Sequence, residues 1–189
     1  MDGFCGGGRN SFALVAYLPE PLARFIDDVR YDLAPGCRLR AHITILPPRP
    51  LTCPPDAAWN ELQARLRQSP AFQVELREVR QFPESGVIYV SLGPGYSELE
   101  RLHASLNTGF CEFNETWYYH PHVTLVQGMN SVAMVPGLEL ATRRWRDYTG
   151  PRTFPLDRVT FVQNVAADGQ PQDKWADLET LDLRHPAAV

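Results

Sequence analysis

The sequence predicts an α+β fold in which two β-α-β-α-β lobes, related by a pseudo-twofold axis, meet at a central cleft. Three observations carry this expectation. Short apolar runs bounded by Pro and Gly alternate along the chain with segments of 3-4 apolar spacing. The element order of the first half recurs in the second. One tetrapeptide pattern, His-x-Thr followed by an apolar residue, falls at the same place in both halves, at His42-Ile43-Thr44-Ile45 and His122-Val123-Thr124-Leu125.

Each element follows from its own pattern. Ser11 to Leu18 is an apolar run of strand length that stops at Pro19. Pro21 opens a helix in which Leu22, Phe25, Ile26, Val29 and Leu33 share one face, and Pro35-Gly36 ends it. His42 to Leu46 is the second strand, with a rigid exit at Pro47-Pro48-Arg49-Pro50. A helix follows over about 56–68, with Trp59, Leu62 and Leu66 aligned, and then a strand over 72–82. In the second half, strands are expected at 87–92 and 122–126. Ser97 with Glu100 reads as a capping box for a helix reaching about Thr108. A helix over about 131–148 carries Pro136-Gly137, which should spoil its first turn. One strand over 154–164 and a closing strand over 174–183 complete the order. Corresponding elements are offset by similar amounts: Phe12 to Val87 is 75 residues, His42 to His122 is 80, and Phe72 to Phe154 is 82.

A chain of 189 residues holds one domain or two small lobes with a shared core. Residues 1–10, with four glycines, read as a flexible leader. Residues 11–189 read as a single bilobal domain, with lobes at about 11–83 and 84–183. The formal net charge of -4 argues against a broad basic surface for nucleic acid. It leaves room for a pocket that grips one phosphate, for which a salt dependence of roughly 1 to 2 phosphate charges is expected. Lys174 is the single lysine among 18 basic residues; Arg suits bidentate phosphate contact, although a codon bias toward Arg is the simpler explanation. Cys5, Cys37, Cys53 and Cys111 form no C-x-x-C pair, so free thiols in a cytoplasmic protein are expected. No apolar run has the length of a membrane span. A monomer is the simplest expectation for a lobed cleft.

The paired motifs carry the chemistry. On a strand, residues i and i+2 point to one face, so each His and its Thr project together. Two histidines on opposite sides of one phosphorus can act as base and acid near neutral pH. The Thr hydroxyls can bond non-bridging oxygens as charge builds there. Two His and two neutral hydroxyls make a poor metal site, so no metal or other cofactor is expected. His103-Ala104-Ser105-Leu106 also fits the pattern, but it lies in a helix, where i and i+2 diverge, and is read as a decoy.

These motifs resemble those of the two-histidine (2H) phosphoesterase superfamily, which includes RNA 2',5'-ligase-like proteins and cyclic phosphodiesterases. SFALVAYLPEPL is similar to the family's first strand and its turn into a helix; AHITILPPRP and HPHVTLVQG resemble its two motifs. The resemblance implies that His42 and His122 are catalytic and that Thr44 and Thr124 bind phosphate. It also implies a nucleotide or short RNA with a 2',3'-cyclic phosphate or a 2',5' linkage as substrate, handled without metal. Which histidine is the acid is left open.

Secondary candidates each carry a plainer reading. Arg40 shares the strand face of His42 and is a candidate for substrate phosphate, or else a solvated edge residue; Arg38 and Arg49 flank the same motif. Tyr118 and Tyr119 lead into the second motif as candidates for stacking on a base, or as loop tyrosines. Phe12 is read as core, His120 as a loop residue, His185 as a tail residue, and Trp59, Trp117, Trp145 and Trp175 as packing. Two other functions compete with the enzyme: a binding module of the same fold, and a metal-dependent hydrolase built on His120, His122 and a carboxylate.

Overall fold

A computed structural model describes residues 10–37, 39–82, 84–166 and 174–184. Among these residues, eight strands and four α-helices follow in the order β1 (Phe12–Tyr17), α1 (Leu22–Leu33), β2 (His42–Arg49), α2 (Pro55–Leu66), β3 (Phe72–Phe82), β4 (Val87–Leu92), α3 (Tyr96–Leu106), β5 (His122–Val126), α4 (Ser131–Asp147), β6 (Thr153–Leu156), β7 (Arg158–Asn164) and β8 (Trp175–Asp182). They form two four-stranded antiparallel sheets, ordered β2-β1-β7-β8 and β5-β4-β3-β6. The fold is the expected α+β class with two lobes.

The sheets do not divide at the expected boundary between residues 83 and 84. β3 pairs with β4 and β6 in the second sheet, while β7, from the second half, pairs with β1 in the first. The cause is local. Phe82 and Val87 are partners across a short hairpin, and neighbours in sequence pair before distant strands do. Each half therefore gives its third strand to the opposite sheet. The strand expected over 154–164 splits at Asp157 for the same reason: β6 edges the second sheet and β7 enters the first. Pro155 is tolerated because β6 is an edge. β2 is likewise an edge strand, so it runs through Pro47 and Pro48 to Arg49, beyond its expected end.

One helix start differs from expectation, and another helix begins where expected but passes through its prolyl-glycine pair. α3 begins at Tyr96 behind Gly95, whose φ of 91° is a left-handed conformation, and no side chain caps it. A Cβ on Gly95 would lie 2.7 Å from the Gln73 carbonyl oxygen, so only glycine fits where this turn presses on β3. The Ser97–Glu100 capping box therefore does not form, and Glu100 is released to the surface. α4 starts under the Asn130 side chain, which accepts from the Ala133 amide, and continues through Pro136 and Gly137. Of the expected leader, residues 1–9 lie outside the described residues; Asn10 is bonded in both directions to Leu51.

One apolar core runs between both sheets and the helices, from Phe12 and Leu14 through Ile43 and Ile45 to Ile88, Val90, Val123 and Leu125. Phe161 sits between Phe12 and Trp59, with ring centroids at 5.6 and 5.9 Å. Phe12 is thus a core residue. Because Phe161 is the middle ring of this stack, Phe161→Ala is expected to cost about 3–5 kcal/mol in urea unfolding. A cost below about 1 kcal/mol would show that the stack does not carry the core.

Candidate active site

Strand alternation places the two motifs. Ile43, Ile45, Val123 and Leu125 are buried, whereas His42, Thr44, His122 and Thr124 are half-buried on the opposite strand faces. Residues 41–46 and 121–126 show the same order of buried and half-buried positions. Each motif strand is the edge of its own sheet, and β2 lies against β5. The two edges bring the motifs near one another, close enough for His122 to act on the protonation of His42.

Both imidazoles are oriented in the same way. His42 Nδ1 bonds the Arg40 carbonyl and His122 Nδ1 bonds the His120 carbonyl, each at 2.6 Å. A carbonyl only accepts, so Nδ1 carries hydrogen in both rings and Nε2 is left for chemistry. Aromatic rings hold the imidazoles edge-on: Tyr17 at 6.5 Å from His42, and Phe82 and Tyr89 each at 5.2 Å from His122. Among the described residues, neither Thr44 nor Thr124 uses its hydroxyl in a hydrogen bond.

The halves brace one another through the motif backbones. From α1, Arg30 Nε donates to the Thr124 carbonyl at 2.8 Å, and its Nη1 donates to the Leu39 carbonyl at 2.9 Å. From the second half, the Tyr119 hydroxyl donates to the Thr44 carbonyl at 2.8 Å, and His103 Nδ1 donates to the Ile45 carbonyl at 2.8 Å. Edge strands present carbonyls that a sheet leaves unpaired, and these side chains satisfy them.

Electrostatics break this symmetry. Burial, the nearby Arg30 charge and His122 itself bring His42 down from its ordinary value to about 4. His122 is also lowered, by burial and by His120, with no arginine acting on it. Both shifts favour the neutral ring at pH 7, and the Arg30 charge acts in this sense on His42 alone of the two.

The other expected site residues, Arg40 and Tyr119, have partners within the fold. Arg40 gives its carbonyl to His42, but its guanidinium lies 3.5 Å over the Tyr17 ring and 2.5 Å from Asp177 on β8. Tyr119 stacks on His103 at 3.9 Å and 2°, so one ring face and its hydroxyl are already committed; burial raises its pKa. Tyr118 is fully exposed, and Trp117 is 76% exposed and not a packing residue. Arg49 is buried and held by Glu115, Asn107 and the Cys111 carbonyl, as an interior charge requires. His103 is structural. His120 is more than a loop residue: its Nδ1 meets the Tyr96 hydroxyl at 3.0 Å, and its Nε2 is buried without a partner. Arg38 and His185 lie outside the described residues. Phe82, Tyr89 and Arg30 were not singled out from sequence; the alternation in Val87–Leu92 puts Tyr89 on the cleft face, whereas nothing local marks Arg30.

An α+β fold of two exchanged-strand sheets, with one His-x-Thr pair on each facing edge, defines a two-histidine phosphoesterase arrangement. Residues 18–168 match the 2'-5' RNA ligase superfamily, and the chain belongs to that family. Solved structures agree in fold. E. coli LigT in its apo form is 19% identical, with a TM-score of 0.62 over 93% of this chain and 98% of its own. The same protein complexed with 3'-AMP gives 16%, 0.61, 93% and 99%. Kluyveromyces marxianus Usb1 gives 13% and 0.51, over 82% of this chain and 95% of its own. No curated protein matches the sequence. Among the described residues, no helix is long and apolar enough to cross a membrane, and Cys37, Cys53 and Cys111 are free.

The lowered His42 value links the site to stability. Between about pH 6.5 and 4 the unfolded chain binds a proton that folded His42 refuses, so stability falls as pH drops through that window. His42→Asn should flatten this segment of a stability–pH curve measured by urea unfolding. An unchanged slope would mean that His42 is not held neutral.

Proposed function

We propose that the protein is a metal-independent phosphodiesterase acting on 2',3'-cyclic phosphates or 2',5'-linked nucleotide and RNA ends, with His42 as general base and His122 as general acid. One observation carries this reading: both imidazoles have Nδ1 tied to a carbonyl and Nε2 free, each beside an unengaged Thr hydroxyl. In hydrolysis His42 Nε2 takes a proton from water, whose oxygen forms a bond to phosphorus. His122 Nε2–H gives its proton to the ribose oxygen as the P–O bond breaks. The Thr44 and Thr124 hydroxyls donate to the non-bridging oxygens. The assignment follows the Arg30 charge, which acts on His42 and keeps it the proton acceptor. Resealing through a cyclic phosphate is the microscopic reverse, so membership of a family named for ligation is compatible with hydrolysis.

Membership of the family supports chemistry at phosphodiester bonds. LigT has been solved with 3'-AMP and with ATP, which is in keeping with a nucleotide as partner here. The donor set of two imidazoles and two hydroxyls supports acid-base chemistry more than metal ligation. Arg40 is retained as a substrate contact at the cleft mouth, reached by exchanging Asp177 for phosphate. A monomeric, cytoplasmic enzyme is the accompanying proposal.

The test is hydrolysis of 2',3'-cyclic nucleotides in excess chelator. Turnover should persist, and His42→Ala or His122→Ala should each lower kcat/KM by about 10²–10⁴-fold. Because the free enzyme needs His42 neutral and His122 protonated, kcat/KM should peak below pH 6.5 and fall on both sides. Tight binding without turnover would instead mark a binding module, and loss of turnover on chelation a metal enzyme.

A further inference from the structure

We infer that the pocket beside the second motif binds the nucleobase attached to the reacting phosphate, and that Glu100 makes this pocket select guanine. The inference rests on the phosphodiesterase reading above and adds a base subsite to it. The pocket has a volume of about 440 Å³ and is lined by Tyr96, Glu100, His103, Tyr118, Tyr119 and His120. Its position relative to the chemistry is fixed by His120. That ring lines the pocket, its centroid lies 6.1 Å from the His122 ring, and its backbone carbonyl orients His122. A group linked to a phosphate at His122 therefore has this pocket within reach.

The lining states what kind of group fits. Five of its six residues present flat rings, two of them locked in the parallel His103–Tyr119 stack. Tyr118 stands fully exposed with no packing role, as a stacking platform on the rim. No Arg or Lys lines the pocket, and its one charge is a carboxylate, so it repels phosphate and suits an uncharged aromatic heterocycle. Because the capping box does not form, Glu100 is not spent on the helix terminus, and it makes no ion pair among the described residues. It lines the same cavity as Tyr96, Tyr119 and His120.

A carboxylate only accepts, so it selects bases by the donors on their edge. Guanine offers a ring imino hydrogen and an amino group side by side, matching two carboxylate oxygens. Adenine and cytosine offer one amino group beside an acceptor. Uracil offers one imino hydrogen between two carbonyls, which repel the carboxylate. The order expected is guanine first and uracil last, with roughly tenfold between them.

The experiment compares kcat/KM for the four 2',3'-cyclic nucleotides in wild type, Glu100→Gln and Tyr118→Ala, with Kd for 3'-GMP and 3'-UMP by calorimetry. Wild type should favour guanine over uracil roughly tenfold. Glu100→Gln should shrink that ratio to about twofold, and Tyr118→Ala should lower all four values by roughly tenfold while keeping the ratio. Equal values for the four bases in wild type, or an unchanged ratio in Glu100→Gln, would overturn the subsite while leaving the phosphodiesterase reading intact. If no cyclic nucleotide is turned over, that reading fails and binding decides the subsite alone. In that case 3'-GMP binding tighter than 3'-UMP, with the difference lost in Glu100→Gln, supports it, and equal Kd values overturn it.

Discussion

The motif strands are the exposed edges of two sheets, and an edge strand is held on one side only. What keeps β2 and β5 in place on the other side is a set of crossed side-chain bonds. Arg30 of the first half holds the Thr124 carbonyl, and Tyr119 of the second half holds the Thr44 carbonyl. Each half thus fixes the other's motif at the residue beside its histidine. The exchange of third strands acts in the same sense, since β3 and β7 tie each half into the opposite sheet. The motif backbones are thus braced from both halves, the kind of positioning that a pair of groups would need to act on one phosphorus as proposed.

The same bracing makes two similar motifs unequal. The first half braces with a buried cation, whereas the second uses a neutral phenol and an imidazole. A positive charge behind His42 disfavours imidazolium there, while His122 sits among the aromatic rings of Phe82 and Tyr89. Pseudo-symmetry supplies two imidazoles held in the same way, and the departure from it gives them different electrostatic surroundings.

Much of this was legible in the sequence because it rests on period. Alternation placed His42 and Thr44 opposite Ile43 and Ile45, and the repeat at His122 marked its equivalent. The strand exchange was not legible, since period identifies a strand and not its partner. Only the short hairpin between Phe82 and Val87 hinted at it. The capping box failed because Gly95, pressed on β3, starts the helix earlier than Ser97 would. Arg30 was invisible for a different reason: a charged residue within an amphipathic helix reads as solvated until its partners, 94 residues away in the case of Thr124, are known. Arg40 and Tyr119 adjoin the motifs in sequence, but their side chains are engaged within the fold, which a local pattern does not reveal.

The central claim is that His42 and His122 act as one unit on a single phosphodiester, and a double-mutant cycle tests it most directly. Groups that share one transition state lose most of their effect when either is removed. The His42→Ala, His122→Ala double variant should therefore hydrolyse a 2',3'-cyclic nucleotide within about tenfold of the slower single variant. Independent losses that multiply in the double variant would contradict the account.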